Sequence, residues 1–512
     1  MNKQSQHSTQ KPNNLSHQIE LWLKKHYKKV LVIIVFLGAV LRLKGTLLGA
    51  FAFTYDSARD MIAVQNIIQN HDLNLIGPTT GLPGLFYGPW WYWFLIIPFV
   101  ASGGDPMAAV VLISLICLSM IPLSFWLAKQ LGTYTSATAT AIAVACSPLF
   151  IASSVQLWSP NFVPFFTLLA LILYWRLLQK STWKDFFLLG LVLGGAYHSE
   201  VAYGIFFNFS MTCSLFIVYL LKKRFNALAM FLALIGGFFF TLIPQLVFDM
   251  RHNFLQSTSL LGNFIHPKVF QKATPLIERF VERGELFFSQ FIKMFALENP
   301  IVGIIILIIF GYMIFKILKS PLENTVSQFT FGVVLTILIM WIGFSLFPDA
   351  VWEYYLVGVP VLYLGLFAVL SGILARSFKL AGLVLVFTGI FIADPFTMAR
   401  SIAGPKTNDQ SMIRSQKAVI DRVYADADGT PFSVVVYTPT LVDYPYAYLF
   451  DWYGNKTYHY VPMENQKVVY YILEKDSSLF RRHWIGEHDG DGQIIFEETT
   501  DTGVIIQKRM RE

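Results

Sequence analysis

Residues 30–60, VLVIIVFLGAVLRLKGTLLGAFAFTYDSARD, contain the two features from which both the architecture and the candidate site are predicted. The first part, residues 30–47, is almost wholly apolar and close to the about 20 residues that a membrane-spanning helix needs. Lysines precede this stretch, which predicts that its beginning faces the cytoplasm. The motif from Phe53 to Asp60 should therefore emerge on the opposite side of the membrane.

The composition of the whole chain is that of a membrane protein. Hydrophobic residues make up 55% and charged residues only 14%, whereas soluble domains carry roughly 25% charged residues. Apolar stretches of near-spanning length predict about eleven transmembrane helices. They cover residues 30–47, 107–128, 135–153, 162–179, 186–203, 205–221, 226–248, 300–318, 328–347, 354–373 and 379–396.

Basic clusters predict the orientation, because positively charged loops stay in the cytoplasm. The apolar segment Pro89–Phe99 is too short for a typical span. A span there would also place Lys222–Arg224 outside the cell. We therefore predict that this segment is an interfacial or re-entrant piece. The C-terminus then lies outside the cell. The net charge of +7 comes mostly from these loops; anionic lipid headgroups suffice as its partner, and no nucleic acid is needed. The clusters are Lys24, Lys25, Lys28 and Lys29; Lys129; Arg176, Lys180 and Lys184; Lys222–Arg224; Lys316 and Lys319; Arg376 and Lys379.

The predicted fold is an all-α multi-pass bundle in the cell membrane, with juxtamembrane helices on its outer face and a small extracytoplasmic α/β domain. Residues 1–29 form a cytoplasmic tail, 30–398 the membrane core and 399–512 the C-terminal domain. Apolar residues at helical spacing predict surface helices within 57–70 and near 275–295, in the large outer loops 48–106 and 249–299. In the C-terminal domain we predict a helix near 409–425 and strands at 432–437, 468–473, 493–496 and 502–508.

Asp56, Arg59 and Asp60 are the first candidates for chemistry. If a helix begins here, residues three and four apart share a face, which brings both carboxylates near Arg59. The alternative is that Asp56 only caps the helix while the other two side chains are solvated. We predict Asp56 and Asp60 as catalytic carboxylates and Arg59 as a substrate-binding residue, because ionisable groups at the mouth of a membrane bundle are costly to keep there.

Further ionisable residues lie near the predicted outer ends of spans and are candidates for substrate binding. Arg42 could hold an anionic headgroup or snorkel to the interface. The pair His198 and Glu200 could line a site or only lock helices together. Arg251 and His252, which follow Asp249, could contact a phosphate or a metal ion, or be solvated. Glu353 and Tyr354 could face the site or belong to an aromatic belt. These positions are Arg42, His198, Glu200, Arg251, His252, Glu353 and Tyr354.

Two acidic motifs suggest metal sites, but their contexts favour turns. The stretch Glu487–Glu498 is similar to a calcium-binding loop, yet it begins with Glu and continues as a strand, so we predict a hairpin turn. Asp426–Gly429 ends a predicted helix at a glycine, which is typical of a helix C-cap. We therefore predict no metal ligands among these residues.

The order of several motifs resembles the start and end of the type C glycosyltransferases. Within that superfamily the chain is similar to the bacterial and archaeal relatives of protein O-mannosyltransferases and of lipid A aminoarabinose transferase. The similarity covers most of the chain. The motifs that carry it are Tyr55–Asp60, Ile76–Pro78, Tyr87–Tyr92, Ser102–Pro106, Trp158–Asn161, Phe248–Phe254 and Asp443–Leu449.

This resemblance implies a sugar donor on a polyprenyl phosphate and an acceptor hydroxyl or amine of a lipid, glycan or protein. It implies that Asp56 acts as the general base and that the reaction inverts the anomeric carbon. Two positions depart from the pattern. Ser57 stands where many relatives have Glu, and the next outer loop, where some relatives use a second carboxylate, has Asn161 and no acid here. A divalent cation therefore stays open as a cofactor. The alternatives are a transporter or flippase and a non-catalytic envelope-assembly protein.

Overall fold

The computed structural model describes residues 15–81, 84–265, 275–295, 300–319, 322–376 and 409–511, with the isolated positions 384 and 388. The described part up to residue 376 is mostly helical, and the four strands lie after residue 409. The predicted tail 1–29 lies partly, and the predicted span 379–396 almost wholly, outside the described residues.

Sixteen helices form the described part of the bundle and its surface elements. Short 3-10 turns occur at Ser159–Phe162, Phe225–Met230 and Glu353–Leu356. The helices are α1 (Leu15–Leu47), α2 (Tyr55–Asn70), α3 (Trp90–Ser102), α4 (Pro106–Leu118), α5 (Met120–Leu131), α6 (Tyr134–Cys146), α7 (Pro148–Ala152), α8 (Val163–Gln179), α9 (Trp183–Ser199), α10 (Val201–Leu221), α11 (Phe231–Arg251), α12 (Leu255–Ile265), α13 (Leu276–Met294), α14 (Pro300–Leu318), α15 (Thr325–Leu346) and α16 (Val359–Arg376).

Seven helical segments among the described residues are long and apolar enough to cross a membrane. The predicted span 135–153 is interrupted at Ser147, where α6 ends and α7 begins. Helix α3 has 13 residues, fewer than the about 20 that a span needs, which agrees with the prediction of a short piece at Pro89–Phe99. The chain is thus a multi-pass membrane protein, and the number of about eleven spans stays a prediction.

Glycines allow two bundle helices to touch backbone to backbone. A Cβ on Gly190 of α9 would lie 2.0 Å from the carbonyl oxygen of Leu234 on α11. A Cβ on Gly237 of α11 would lie 2.2 Å from the carbonyl oxygen of Phe187. Small residues at such crossings are typical of membrane helices, where close packing replaces hydrophobic burial as the source of stability. This contact fixes the end of α9, which carries His198.

The two surface helices expected from apolar spacing are confirmed. Helix α2 buries Met61, Val64 and Ile67 along one face. Helix α13 buries Phe287 and Phe291 in the main core cluster of the bundle. The opposite face of α2 is polar, as the amphipathic pattern predicted. The opposite face of α13 is mixed, because Ile277 and Val281 are exposed beside its charged residues.

The C-terminal domain is a four-stranded sheet with helices. Strand β1 pairs in parallel with β2, which pairs antiparallel with β4, and β4 with β3, giving the order β1-β2-β4-β3. Strands β3 and β4 form a hairpin. Residues 488–492 instead join a helix to β3, so the hairpin turn predicted there is wrong. The elements are α17 (Ile413–Ala427), β1 (Ser433–Tyr437), α18 (Tyr444–Leu449), α19 (Asn455–Tyr458), β2 (Val468–Leu473), α20 (Leu479–Glu487), β3 (Gln493–Thr499) and β4 (Ile505–Met510).

The C-terminal domain is joined to the segment that precedes α2. The backbone N–H of Phe53 donates to the carbonyl of Ser411 at 2.8 Å, and that of Ile413 donates to Phe51 at 3.1 Å. Phe53 is wholly buried, and its ring packs against Tyr448. A domain this small has little core of its own, and here it shares one with α2, α3 and α4. The domain and the Asp56 motif are therefore held together.

Candidate functional site

Helix α2 places the three charged residues of the first motif in one contact network. Thr54 is the N-cap residue, so Asp56 lies inside the first turn and the alternative in which it caps the helix is wrong. Nη1 of Arg59 lies 2.8 Å from Oδ1 of Asp56. Nε and Nη2 of Arg59 donate to Oδ1 of Asp60 at 2.9 and 2.8 Å. The Asp56 side chain keeps 41% of its surface exposed, so it can still reach a substrate.

Asp60 has a different environment from Asp56. Its side chain is 1% exposed, and Nε1 of Trp91 donates to its Oδ2 at 2.6 Å. Burial raises the pKa of Asp60 to about 6, although Arg59 and Trp91 favour its charged form. Both oxygens are occupied by protein donors. The structure therefore gives Asp60 the place of a positioning residue for Arg59, where the sequence predicted a second catalytic group.

Asp56 is bordered by the segment before α8. Oγ of Ser57 donates to the carbonyl oxygen of Leu157 at 2.9 Å. The next residue, Trp158, packs its ring edge-on against Tyr354, with centroids 5.1 Å apart. Tyr354 is close enough to interact electrostatically with both Asp56 and Glu200. The predicted residues Asp56, Glu200 and Tyr354 are thus brought into one region.

Glu200 lines a small cavity of about 70 Å³ beside this region. Most of the wall is apolar, and we call it the polar cavity after the carboxylate and phenol groups that it contains. The side chain is 2% exposed, and Oη of Tyr87 donates to its Oε2 at 2.8 Å. Tyr354 and Tyr355 line the same cavity. Oε1 of Glu200 also accepts from the N–H of Ala202, at the first turn of α10. A buried carboxylate surrounded by phenol groups can orient a polar ligand through hydrogen bonds.

His198 lies in the wall of a second, apolar cavity of about 380 Å³. Its Nε2 lies 3.0 Å from the carbonyl oxygen of Thr241 on α11, and Trp90 Nε1 donates to the same oxygen at 2.7 Å. Aromatic rings form much of the rest of this wall, and they include Trp91, the residue that donates a hydrogen bond to Asp60. The Trp91 side chain therefore both lines the apolar cavity and contacts the acidic motif of α2.

Three of the predicted residues have partners outside this region, and a fourth, Arg251, is exposed. Arg42 is 1% exposed and donates to the carbonyls of Gly38, Val144 and Ala145. It satisfies the last carbonyls of α6, so its guanidinium does not face a headgroup. Lys293 pairs with Glu353 at 2.5 Å. His252 stacks on Phe248, and Arg251 beside it is exposed.

Asp249, which precedes that pair, caps α12. It accepts from the backbone N–H of Gln256 at 2.6 Å and of Ser257 at 3.1 Å. This cap orients the start of α12 against the loop before α3. There the backbone N–H of Phe86 donates to the side-chain oxygen of Gln256 at 3.2 Å. Asp249 thus has a structural explanation that needs no phosphate or metal ion.

Sequence reasoning missed Trp91 and Tyr87 as members of the site. Both occur in the motif Tyr87–Tyr92, and Trp91 also lies in the segment Pro89–Phe99, which we predicted to be an interfacial or re-entrant piece. A signal was present, since Trp and Tyr combine a large apolar ring with one polar atom that usually finds a partner when buried. The partners, Asp60 and Glu200, lie far away in sequence and could be paired with them only by the fold.

Within the described ranges, no group of three or more His, Cys, Asp or Glu side chains is placed to hold a metal ion. A cation at the acidic motif would have to compete with Arg59, which already contacts Asp56 and Asp60. The divalent cation that the sequence left open therefore finds no support in this donor set.

The chain shares its fold with solved membrane transferases. No family model and no curated protein sequence matches it. ArnT from Cupriavidus metallidurans bound to undecaprenyl phosphate aligns with a TM-score of 0.57 and 11% identity, over 96% of this chain and 98% of that one. The apo state of ArnT aligns with a TM-score of 0.51 and 11% identity, over 88% and 97%. An oligosaccharyltransferase from Archaeoglobus fulgidus gives 0.44 and 14%, over 85% and 62%.

ArnT, the lipid A aminoarabinose transferase, belongs to the type C glycosyltransferase superfamily. This chain is similar to ArnT in fold, and the resemblance expected from the sequence motifs is confirmed at the level of the fold. The likeness extends from α1 through the C-terminal domain, because it covers nearly the whole of both chains.

Proposed function

We propose that the chain is an integral-membrane glycosyltransferase that moves a sugar from a polyprenyl-phosphate donor to an acceptor hydroxyl or amine on the extracytoplasmic face. The observation that carries the proposal is Asp56: a partly exposed carboxylate, fixed by Arg59, next to the polar cavity of Glu200. The fold supports it, since ArnT was crystallised with undecaprenyl phosphate and aligns over nearly the whole chain.

The chemistry that we propose is a single displacement. The acceptor oxygen or nitrogen attacks the anomeric carbon while Asp56 takes its proton. The bond between that carbon and the phosphate oxygen breaks, and the polyprenyl phosphate leaves with the electron pair. Attack from the face opposite the leaving group inverts the anomeric centre. Asp56 accepts this proton as a carboxylate, which Arg59 holds in place through a contact of 2.8 Å.

The two cavities suit the two parts of the donor. The apolar cavity at His198 is lined by aromatic rings and reaches Trp91, which fits the hydrocarbon tail of a polyprenyl lipid. The polar cavity at Glu200 offers phenol and carboxylate groups that can bond sugar hydroxyls. Arg251 remains our candidate for contact with the lipid phosphate, because it is exposed at the end of α11.

The test uses the full chain in lipid nanodiscs with a panel of polyprenyl-phosphate sugars together with lipid, glycan and peptide acceptors, and it measures released polyprenyl phosphate. We expect release with at least one donor and its loss in Asp56→Asn, by a factor on the order of 10² or more, typical of removing a general base. Asp72→Asn is the matched control, since Asp72 is exposed just beyond α2. Equal release by the Asp56→Asn variant would reject the proposed base.

A further inference from the structure

A third cavity lies between α2, the end of α3 and the C-terminal domain. Its volume is about 470 Å³. Helix α2 contributes Gln65 and Gln69, and the C-terminal domain contributes Trp452, Asn455 and Lys456. We call this cavity the Trp452 pocket. It shares no lining residue with the cavities at Glu200 and His198.

The aromatic wall of the Trp452 pocket is held in place by the loop after α3. Nε1 of Trp452 donates to the carbonyl oxygen of Gly103 at 2.7 Å, and Oη of Tyr448 donates to Gly104 at 2.5 Å. The two rings are nearly parallel, at 19°. Gly104 has a φ of +92°, and a Cβ there would lie 2.9 Å from Cδ1 of Trp452. The loop is therefore shaped to bring its backbone against the indole ring.

The polar wall consists of side chains that can both donate and accept hydrogen bonds. Nε2 of Gln65 donates to Oδ2 of Asp451 at 2.6 Å. Gln69 and Asn455 are exposed at the rim. Lys456 lies with Nζ 5.6 Å from the centroid of the Trp452 ring. Nζ of Lys417 lies 4.7 Å from the same centroid. Asp451 lines the pocket beside Lys456, and Lys417 interacts with Asp105 and Asp421, so the charges around the ring balance each other.

We propose that the Trp452 pocket binds a saccharide unit of the acceptor, away from the reaction centre. A sugar ring presents C–H groups on its faces, which suit a fixed indole, and hydroxyls at its edge, which need partners that donate and accept. The amides of Gln69 and Asn455 provide such partners. A phospholipid headgroup fits less well, because a single lining lysine is already balanced by Asp451.

The position of the pocket indicates that the acceptor is an extended glycan. Gln65 follows Asp56 by nine residues on α2, which corresponds to about 13 Å along the helix axis and about half a turn around it. One monosaccharide cannot occupy both places. The inference rests on the proposed transfer reaction, since it assigns a second contact to that reaction's acceptor.

The test measures binding of soluble tetrasaccharides of hexose, N-acetylhexosamine and uronic acid to the full chain in phosphatidylcholine nanodiscs, by saturation-transfer NMR. Gln69→Ala/Asn455→Ala should weaken binding about tenfold or more, as expected for two lost hydrogen-bonding side chains. Gln493→Ala, at an exposed position of β3, is the control and should bind like the unmodified chain. Asp56→Asn should also keep full binding, which separates this inference from the proposed base.

Three results would overturn the inference. The first is that no tetrasaccharide binds, and the second is that the double variant binds as well as the unmodified chain. The third is that phosphatidylglycerol in the nanodisc competes with the tetrasaccharide and that this competition is lost in the double variant. The last would identify the pocket as a lipid site. Once an acceptor glycan is in hand, the double variant should raise KM and leave kcat unchanged, because the contact is the same in the ground and transition states.

Discussion

The indole Nε1 of Trp91 and the carboxylate of Asp60 form a 2.6 Å hydrogen bond in the buried floor of the acidic motif. The bond joins α3 to α2 and leaves the other oxygen of Asp60 for Arg59. Arg59 in turn holds Asp56 at 2.8 Å. A chain of three polar contacts therefore connects an apolar cavity wall to the exposed carboxylate, and each link fixes the next.

This arrangement predicts a pH dependence that originates in Asp60. Because burial raises the pKa of Asp60 to about 6, this carboxyl gains a proton as the pH falls through that value. Arg59 then loses a charged partner and holds Asp56 less firmly. We expect the rate of donor turnover to fall below about pH 6, measured as polyprenyl phosphate released between pH 5 and 8.

Asp60→Asn should remove that acid limb and lower turnover at neutral pH about tenfold, or about 1.4 kcal/mol in activation free energy. The asparagine amide cannot accept from Trp91 and Arg59 as the carboxylate does. A profile in Asp60→Asn that still falls at the same pH would assign the limb to another group.

Arg42 should act on stability and not on donor binding. Its guanidinium bonds the carbonyls of Val144 and Ala145 at the end of α6, at 2.8 and 2.9 Å. Arg42→Met leaves these carbonyls without a donor and should cost about 2–4 kcal/mol of stability. The measurement is the thermal midpoint in detergent. Lys25→Met, at an exposed position of α1, is the control. If Arg42→Met raised the KM for the donor and left the thermal midpoint unchanged, Arg42 would be a phosphate-binding residue after all.

Gly88→Ala should displace His198. A Cβ at Gly88 would lie 2.1 Å from Nδ1 and 2.6 Å from Cε1 of the buried imidazole. Overpacking of this kind costs about 1–3 kcal/mol, so we expect a lower thermal midpoint and slower turnover. Gly236→Ala is the matched control, because no atom lies within 4 Å of a Cβ there. Wild-type values for Gly88→Ala would mean that the loop before α3 moves freely.

Glu474 should make the chain less stable as the pH rises. Burial raises the pKa of the Glu474 carboxyl to about 7. The charge of Asp409 adds to this increase, and Tyr446 beside the carboxyl opposes it. A carboxyl with a raised pKa in the folded state stabilises the protein most at low pH, and this contribution is lost between about pH 4.5 and 7. Glu474→Gln should flatten the thermal midpoint of the full chain across this range. It should raise the midpoint at pH 8, by about 1–3 kcal/mol in stability.

A midpoint of the unmodified chain that does not change between pH 5 and 8 would contradict this prediction. So would a lower midpoint of Glu474→Gln at pH 8, which would show that the carboxylate is stabilised by its neighbours. Glu464→Gln is a suitable control, because Glu464 is exposed in the same domain.

The sequence by itself determined the membrane class, most of the helices, the two amphipathic surface helices and the four strands. It also singled out Asp56 and Arg59. Each of these depends on periodicity or on neighbours within one helical turn, which the chain order displays directly. The hairpin expected before β3 was wrong because α20 has only nine residues and none of them is fully buried, so the helix leaves little pattern to recognise.

Only the tertiary structure decided the partners of the polar groups. Asp60 is hydrogen-bonded to Trp91, 31 residues away, and Glu200 to Tyr87, 113 residues away. Arg42 donates to the end of α6, about 100 residues further along the chain. In a medium without water each buried polar group must find a partner inside the protein. Which partner it finds depends on how the helices pack, and a short-range sequence pattern does not encode that.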